Sequence, residues 1–184
     1  ILYRLVGSEM CIRDSLQRKM GNLSMAIENY LKALDIKKTY DKGWYSLGLA
    51  YKENGDIENA MNSFKETVRL NSKYYKAHKS LGDIYIDTEE FDKAISSFQK
   101  AIDVKPNYSF AYHSLGITYA KIENFEKSAE ALSKAVEIAP KEHLSWFHLA
   151  EAYNKLGDCE SAKEAALEST DLKKNFGGGW FELG

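Results

Sequence analysis

Trp44–Tyr51 reads WYSLGLAY, and this stretch decides the fold because related versions of it return every 34 residues. The later copies are HKSLGDIY from His78, YHSLGITY from Tyr112 and WFHLAEAY from Trp146, and a partial copy, WFELG, starts at Trp180. A fixed period of this length is typical of proteins whose repeats stack into a solenoid. Such folds present extended binding surfaces, so the period favours binding over catalysis.

Each 34-residue repeat, counted with Asp41 at place 1, predicts two short helices. Large residues at places 4, 7 and 11 line one face of the first helix. The second helix has its packing residues at places 20, 24 and 27, for example Ala60, Phe64 and Thr67. Place 8 is glycine in three full repeats. A glycine inside a helix costs about 1 kcal/mol relative to alanine, so its recurrence indicates that a bulky partner residue packs against it.

The segments between the predicted helices contain turn and capping residues. Asn-Gly-Asp at 54–56 and Leu-Gly-Asp at 156–158 combine a glycine stop with an amino-terminal cap, and Asn124 supplies a cap alone. Pro106 and Pro140 both fall at place 32, where the second helix has to end. The pattern therefore predicts tight turns between paired helices.

Composition excludes several classes of protein. The chain has 184 residues, a formal charge of −2 and 44% hydrophobic residues, which argues against disorder and against a polybasic nucleic-acid binder. No apolar run approaches the roughly 18 residues that cross a bilayer, so we expect no membrane insertion. Cys11 and Cys159 form neither a disulfide framework nor a metal-ligand cluster, and a cytoplasmic location is the default expectation.

Place by place, the repeats resemble the tetratricopeptide repeat family, whose pattern has Leu-Gly at 7 and 8, Tyr at 11, Ala at 20, an aromatic residue at 24, Ala at 27 and Pro at 32. Residues 75–108 match nearly all of it, with Leu81, Gly82, Tyr85, Ala94, Phe98, Ala101 and Pro106. His78 departs from the pattern at place 4. The resemblance implies an all-α fold, a right-handed superhelical solenoid of antiparallel helix-turn-helix repeats.

The resemblance also divides the chain. Four full repeats cover 41–74, 75–108, 109–142 and 143–176, hereafter repeats 1 to 4, between a partial repeat at 16–40 and a truncated one at 177–184. Repeat 4 is the loosest match, which predicts a less well packed second helix. Residues 1–15 fit no repeat; they resemble a translated sequencing adapter, and the alternative is a divergent capping helix. No function is assigned to Cys11 or Arg13.

In this family the first helices line a concave groove, and places 2, 5, 9 and 12 face it. The resemblance therefore implies sixteen groove candidates, in repeat order: Lys42, Tyr45, Leu49 and Lys52; Lys76, Lys79, Asp83 and Ile86; Phe110, His113, Ile117 and Ala120; Leu144, Phe147, Glu151 and Asn154. Repeats 1 and 2 contribute four lysines and one aspartate, whereas repeats 3 and 4 contribute large apolar residues. An exposed apolar group on such a face indicates a partner.

Each zone has an alternative interpretation. Phe110 and Leu144 lie near helix starts, where they would also serve to pack one repeat on the next. The lysines would also serve as ordinary solvated surface. Our hypothesis is a groove that binds an extended or helical peptide with apolar anchors and an acidic stretch.

Two more specific sites are disfavoured. The carboxylate clamp of chaperone-binding relatives is matched here by Lys79 alone, and Asp83 would repel a carboxylate. His113, His148 and Glu151 occupy neighbouring places in repeats 3 and 4, which brings a metal or acid–base set into consideration, but nothing else in the sequence supports catalysis. His78 falls at a core place, where we expect a buried histidine whose hydrogen bonds are satisfied. There is no phosphate-binding glycine loop, so we expect no cofactor.

Two classes of function follow. The first is a scaffold that binds a protein or peptide partner; the second is the recognition arm of a larger enzyme, such as a transferase, with its catalytic domain beyond a cut end. We expect no catalytic activity in these residues themselves. The incomplete repeats at both ends predict a tendency to self-associate.

Overall fold

The computed structural model describes residues 23–181. Residues 1–22, which comprise the segment 1–15 and the start of the partial repeat before Asp41, and the residues after Phe181 lie outside this range. Within it the chain forms nine α-helices and no strand: α1 Leu23–Ile36, α2 Asp41–Glu53, α3 Ile57–Leu70, α4 Tyr75–Asp87, α5 Phe91–Val104, α6 Ser109–Lys121, α7 Phe125–Ile138, α8 His143–Leu156 and α9 Cys159–Phe181. The predicted all-α fold of paired helices is confirmed.

The chain divides into two compact units within α4, between Ile84 and Tyr85. In the first unit α2 packs against both α1 and α3. Its core contains residues of α1 and α2, namely Ala26, Tyr30, Leu34, Leu47 and Ala50. On the other side of α2, the Phe64 side chain of α3 is fully buried.

The second unit contains four of the helix contacts that build a repeat array: α5 with α6, α6 with α7, α7 with α8, and α8 with α9. One core cluster includes Ala94, Phe98, Leu115 and Ala131. A second surrounds Leu132 and Leu149, and the partly buried Trp146 packs against it. From α5 to α9, each helix therefore packs against the next along the chain.

Glycine at place 8 faces a large side chain at place 24, as the sequence predicts. A Cβ atom on Gly48 would lie 2.6 Å from Phe64 Cε1, and one on Gly116 would lie 2.5 Å from Leu132 Cγ. In repeat 4 the corresponding residues are Ala150 and Ala166. In the repeat whose residue at place 24 is small, the residue at place 8 is therefore alanine and not glycine.

In repeats 1, 2 and 4 the residue at place 4 forms a hydrogen bond that the sequence analysis did not anticipate. Trp44 Nε1 donates to the Lys38 carbonyl and Trp146 Nε1 to the Pro140 carbonyl, both at 2.8 Å. His78 Nε2 lies 2.8 Å from the Ser72 carbonyl, and since a carbonyl only accepts, the ring nitrogen is the donor. His78 therefore makes the same bond as the two indoles. Its hydrogen bond is satisfied as predicted, but the side chain is half-buried rather than buried.

The turn inside each repeat has one residue in the left-handed backbone region, at place 15. It is Gly55 (φ 80°) or Gly157 (φ 78°) in repeats 1 and 4, but Glu89 and Glu123 (both φ 59°) in repeats 2 and 3. The next residue caps the second helix in three repeats, where Asp56, Asn124 and Asp158 accept from the backbone N–H three residues on, each at 3.1 Å. Hydrogen bonds from Ser161 hold the pKa of Asp158 below its usual value.

Helix α9 differs from the others. It has 23 residues, whereas every other helix has 13 or 14, and it passes through place 32, where the repeat pattern predicts a turn. Ala166 is exposed and Ala162 only half-buried, although Ser169 is buried. A fifth repeat from residue 177 stays a prediction. Among the described helices none is both long and apolar enough to span a membrane.

Candidate functional site

The groove candidates of the first compact unit form what we call the lysine zone: Lys42, Tyr45, Leu49 and Lys52 on α2, and Lys76, Lys79 and Asp83 on α4. Two of its lysines lie close to the carboxylate of Asp83. Lys79 Nζ donates to Asp83 Oδ2 at 2.8 Å, and Lys52 Nζ lies 4.0 Å from the same oxygen. Lys42 and Lys76 are exposed and form no ion pair with another described residue. Two of the four lysines therefore remain available to an anionic partner.

Two of the groove candidates in the lysine zone are also packing residues. The Tyr45 ring lies 5.6 Å from that of Phe64 and 4.9 Å from that of Tyr74. Leu49 is half-buried. Tyr45 therefore packs within an aromatic cluster, and Leu49 is only partly accessible.

The candidates of the second compact unit on α6 and α8 form what we call the apolar zone: Phe110, His113, Ile117 and Ala120 on α6, and Leu144, Phe147, Glu151 and Asn154 on α8. Three of its large side chains are exposed, Phe110 to 56%, Leu144 to 47% and Phe147 to 48%, whereas Ile117 is half-buried. Phe110 also packs edge-on against Tyr108, at 5.9 Å between ring centroids. Ile86, on α4, instead packs against the core cluster of Ala94 and Phe98.

A histidine pair lies in the apolar zone. The rings of His113 and His148 are 5.5 Å apart, and Phe147 packs edge-on against His148 at 5.2 Å. Each Nδ1 atom has a hydrogen-bond partner on α8: Ser145 Oγ at 2.9 Å for His113, and Glu151 Oε2 at 2.8 Å for His148. The predicted proximity of the two histidines and Glu151 is confirmed.

This cluster does not amount to a metal centre. Within the described residues no group of three or more histidine, cysteine, aspartate or glutamate side chains is arranged to hold a metal ion. The pair is instead a polar patch beside exposed aromatic surface.

A pocket of about 390 Å³ opens between α6, α7 and α8, next to the histidine pair. Its apolar lining is Ile117, Ala120, Phe125, Leu132 and Ala152, and its polar lining is Lys121, Glu123, His148, Glu151 and Lys155. Lys121 and Lys155 share place 13, and the sequence analysis missed them. The signal was available, because place 13 lies four residues after the groove position at place 9, one helical turn along the same face.

Comparison with protein families finds the same repeat over most of the segment 16–176. A family model described as "Tetratricopeptide repeat" matches residues 41–74, 111–142 and 144–176, and one described as "TPR repeat" matches residues 16–55 and 82–123. Comparison of the sequence with curated proteins found no match.

Solved structures resemble the chain over most of its length. A crystal structure of MamA is 25% identical, with a TM-score of 0.82 over 90% of this chain and 96% of that one. YrrB, described as a TPR protein with an unusual peptide-binding site, is 19% identical, with a TM-score of 0.72 over 88% and 83% of the two chains. PilF of Pseudomonas aeruginosa is 13% identical, with a TM-score of 0.85 over 94% and 78%.

Proposed function

The chain belongs to the tetratricopeptide repeat family, and we propose that it is a protein-interaction scaffold that binds a partner peptide along the first helices of its repeats. The observation that carries the proposal is the exposed apolar surface on α6 and α8. Phe110, Leu144 and Phe147 all occupy groove places and are each about half exposed.

Exposed apolar surface costs free energy, at about 25 cal/mol for each Å² that stays in water. A face without a partner has no need of three large hydrophobic side chains, and exposed apolar surface of this kind is typical of interaction sites. The alternative is that Phe110 and Leu144 only pack one repeat on the next. That would explain why each side chain is partly buried, but not why about half of its surface is exposed.

The chemistry of the surface defines the partner. Phe147 and the neighbouring pocket suit apolar anchor side chains of an extended or helical peptide. In the lysine zone, the exposed Lys42 and Lys76 favour a partner segment that carries acidic residues. The description of YrrB as a TPR protein with a peptide-binding site supports peptide binding on this fold.

Selection of a displayed peptide library on the intact protein tests the proposal. Leu144→Ala and Phe147→Ala should each weaken the selected peptides about tenfold or more, as expected for partly desolvated interface anchors. Leu167→Ala is the matched control, since this leucine is similarly exposed, to 55%, but lies on α9 outside the groove places. It should bind like the wild type.

Lys79→Glu tests the lysine zone separately. It breaks the ion pair with Asp83 and reverses one charge, so acidic peptides should bind more weakly while apolar anchoring persists. Equal binding by the wild type, Phe147→Ala and Lys79→Glu would overturn the proposed groove.

A further inference from the structure

The pocket between α6, α7 and α8 has a small residue in one of its walls. Its lining includes Ala120 at place 12, where the other full repeats have Lys52, Ile86 and Asn154. In repeat 2 the corresponding Ile86 packs against the neighbouring core cluster. The alanine of repeat 3 therefore leaves space that a larger side chain occupies in repeat 2, and the volume of about 390 Å³ falls within the range of ligand pockets.

The charges in the lining favour an uncharged occupant. Two lysines, Lys121 and Lys155, and two glutamates, Glu123 and Glu151, line the pocket together with His148. For an occupant of either charge, attraction to one pair is offset by repulsion from the other, and the cost of removing the charge from water remains. The rest of the lining is apolar. An uncharged side chain therefore fits the pocket better than an ionised one.

Glu123 offers the occupant a hydrogen-bond acceptor. The Glu151 carboxylate is already engaged, because its Oε2 atom lies 2.8 Å from His148 Nδ1. Among the described residues Glu123 forms no ion pair, and its side chain forms no hydrogen bond. A carboxylate that loses water when the pocket fills needs a new donor, since a buried charge without a partner costs free energy. We therefore expect an occupant with an N–H or O–H group.

The two lysines favour an aromatic ring over an aliphatic chain. In repeat 3, Lys127 Nζ already lies over the ring of Tyr119, 5.5 Å from its centroid. Contacts of this kind are attractive, and they are strongest with the ring of tryptophan. Lys121 and Lys155 form no ion pair with another residue in the part of the chain that the structure describes, so both are available for such a contact.

We propose that this pocket binds the indole side chain of a tryptophan in the partner peptide. The inference rests on the proposed function and names the anchor residue of the peptide. Tryptophan combines a large apolar ring system with a single N–H donor, and the apolar lining and Glu123 suit this combination. Tryptophan is also among the residues that contribute most to affinity when they fill a pocket at an interface.

Three blocked tripeptides of the form acetyl-Gly-Xaa-Gly-amide serve as probes, with tryptophan, 1-methyltryptophan or leucine as the central residue. Their affinities for the full chain are measured by NMR titration. The tryptophan probe should bind about tenfold more tightly than either of the others, because methylation removes the N–H donor and leucine lacks both the donor and the ring.

Two pairs of variants locate the binding site. Glu123→Ala should remove the preference for tryptophan over 1-methyltryptophan, and Glu89→Ala is its matched control, since Glu89 occupies the same turn place in repeat 2 with the same φ of 59°. Ala120→Ile should fill the pocket and weaken binding of the tryptophan probe about tenfold or more. Ala166→Ile, on the exposed surface of α9, should bind like the wild type. Thermal melts verify that all four variants fold.

Four outcomes overturn the inference: no binding of the tryptophan probe, equal affinity for 1-methyltryptophan, equal or higher affinity for leucine, and unchanged affinity for tryptophan in Ala120→Ile. The library selection separates this failure from that of the proposed function. Selected peptides that lack tryptophan but bind more weakly to Phe147→Ala would leave the scaffold intact and remove only the indole site.

Discussion

Repeats 3 and 4 are neighbours in the second compact unit, yet they fill equivalent places differently. Repeat 3 pairs Gly116 with a fully buried Leu132, whereas repeat 4 has alanine at both places. Repeat 3 also buries a serine at place 20 and has a glutamate in its left-handed turn, whereas repeat 4 has a half-buried alanine and a glycine. Repeat 3 is therefore more densely packed than repeat 4, but it contains a buried polar side chain at place 20 and a strained turn residue. Repeat 4 has neither of these at the same places, and its packing is looser.

Disturbing the packing between places 8 and 24 of repeat 3 should have the largest effect on the free energy of unfolding. Leu132→Ala deletes a fully buried side chain and should lower the free energy of unfolding by about 2–5 kcal/mol. Gly116→Ala should cost about 1–3 kcal/mol, because the new methyl group meets Leu132 Cγ. Chemical denaturation measures both values.

The double variant distinguishes a packing pair from two independent sites. With Leu132 truncated, Gly116→Ala should become neutral or stabilising, since it recreates the alanine pair of repeat 4. Strictly additive costs would contradict the interpretation of places 8 and 24 as one coupled pair.

Ser128→Ala should make repeat 3 more stable. The Ser128 hydroxyl is fully buried and has no hydrogen-bond partner among the described residues, whereas Ser63 and Ser97 donate to carbonyls four residues back. Relieving an unsatisfied buried hydroxyl should raise the unfolding free energy by about 1–2 kcal/mol. Ser97→Ala is the control and should not stabilise. A loss of stability in Ser128→Ala would mean that the hydroxyl is satisfied in solution.

Exchanging the turn residues should have the smallest effect. Glu123→Gly relieves a side chain in the left-handed region and should stabilise repeat 3 by about 0.5–1 kcal/mol after the added freedom of the unfolded chain is subtracted. Gly157→Ala introduces that strain into repeat 4 and should cost about 1 kcal/mol. Melting temperatures that shift in the same direction for both exchanges would be inconsistent with this account.

Sequence periodicity predicts the scaffold because its packing places repeat. The pairing of Gly48 with Phe64 and of Gly116 with Leu132 follows from spacing and side-chain size alone. The contact of Lys79 with Asp83 was also within reach of the sequence, since residues four apart on a helix are neighbours. The same holds for the approach of His113 and His148, which follows from adjacent places in consecutive repeats.

Other features depend on atoms that hydrophobic spacing does not encode. The bond from place 4 needs a ring nitrogen that reaches a carbonyl six residues back, so Trp44 and His78 look different in sequence and act alike in structure. Glu89 and Glu123 adopt the left-handed backbone conformation although no glycine in the sequence indicates it. Only the three-dimensional structure shows that the turn keeps the same geometry without a glycine.

The indole bonds at place 4 also give the chain two built-in optical reporters. Trp44 belongs to the first compact unit and Trp146 to the second, and each indole N–H is bonded to the turn that precedes its own helix. Indole emission responds to the loss of such a bond and to exposure to water. With Trp180 replaced by phenylalanine, single-tryptophan variants would show by fluorescence whether the two units lose structure together or one after the other.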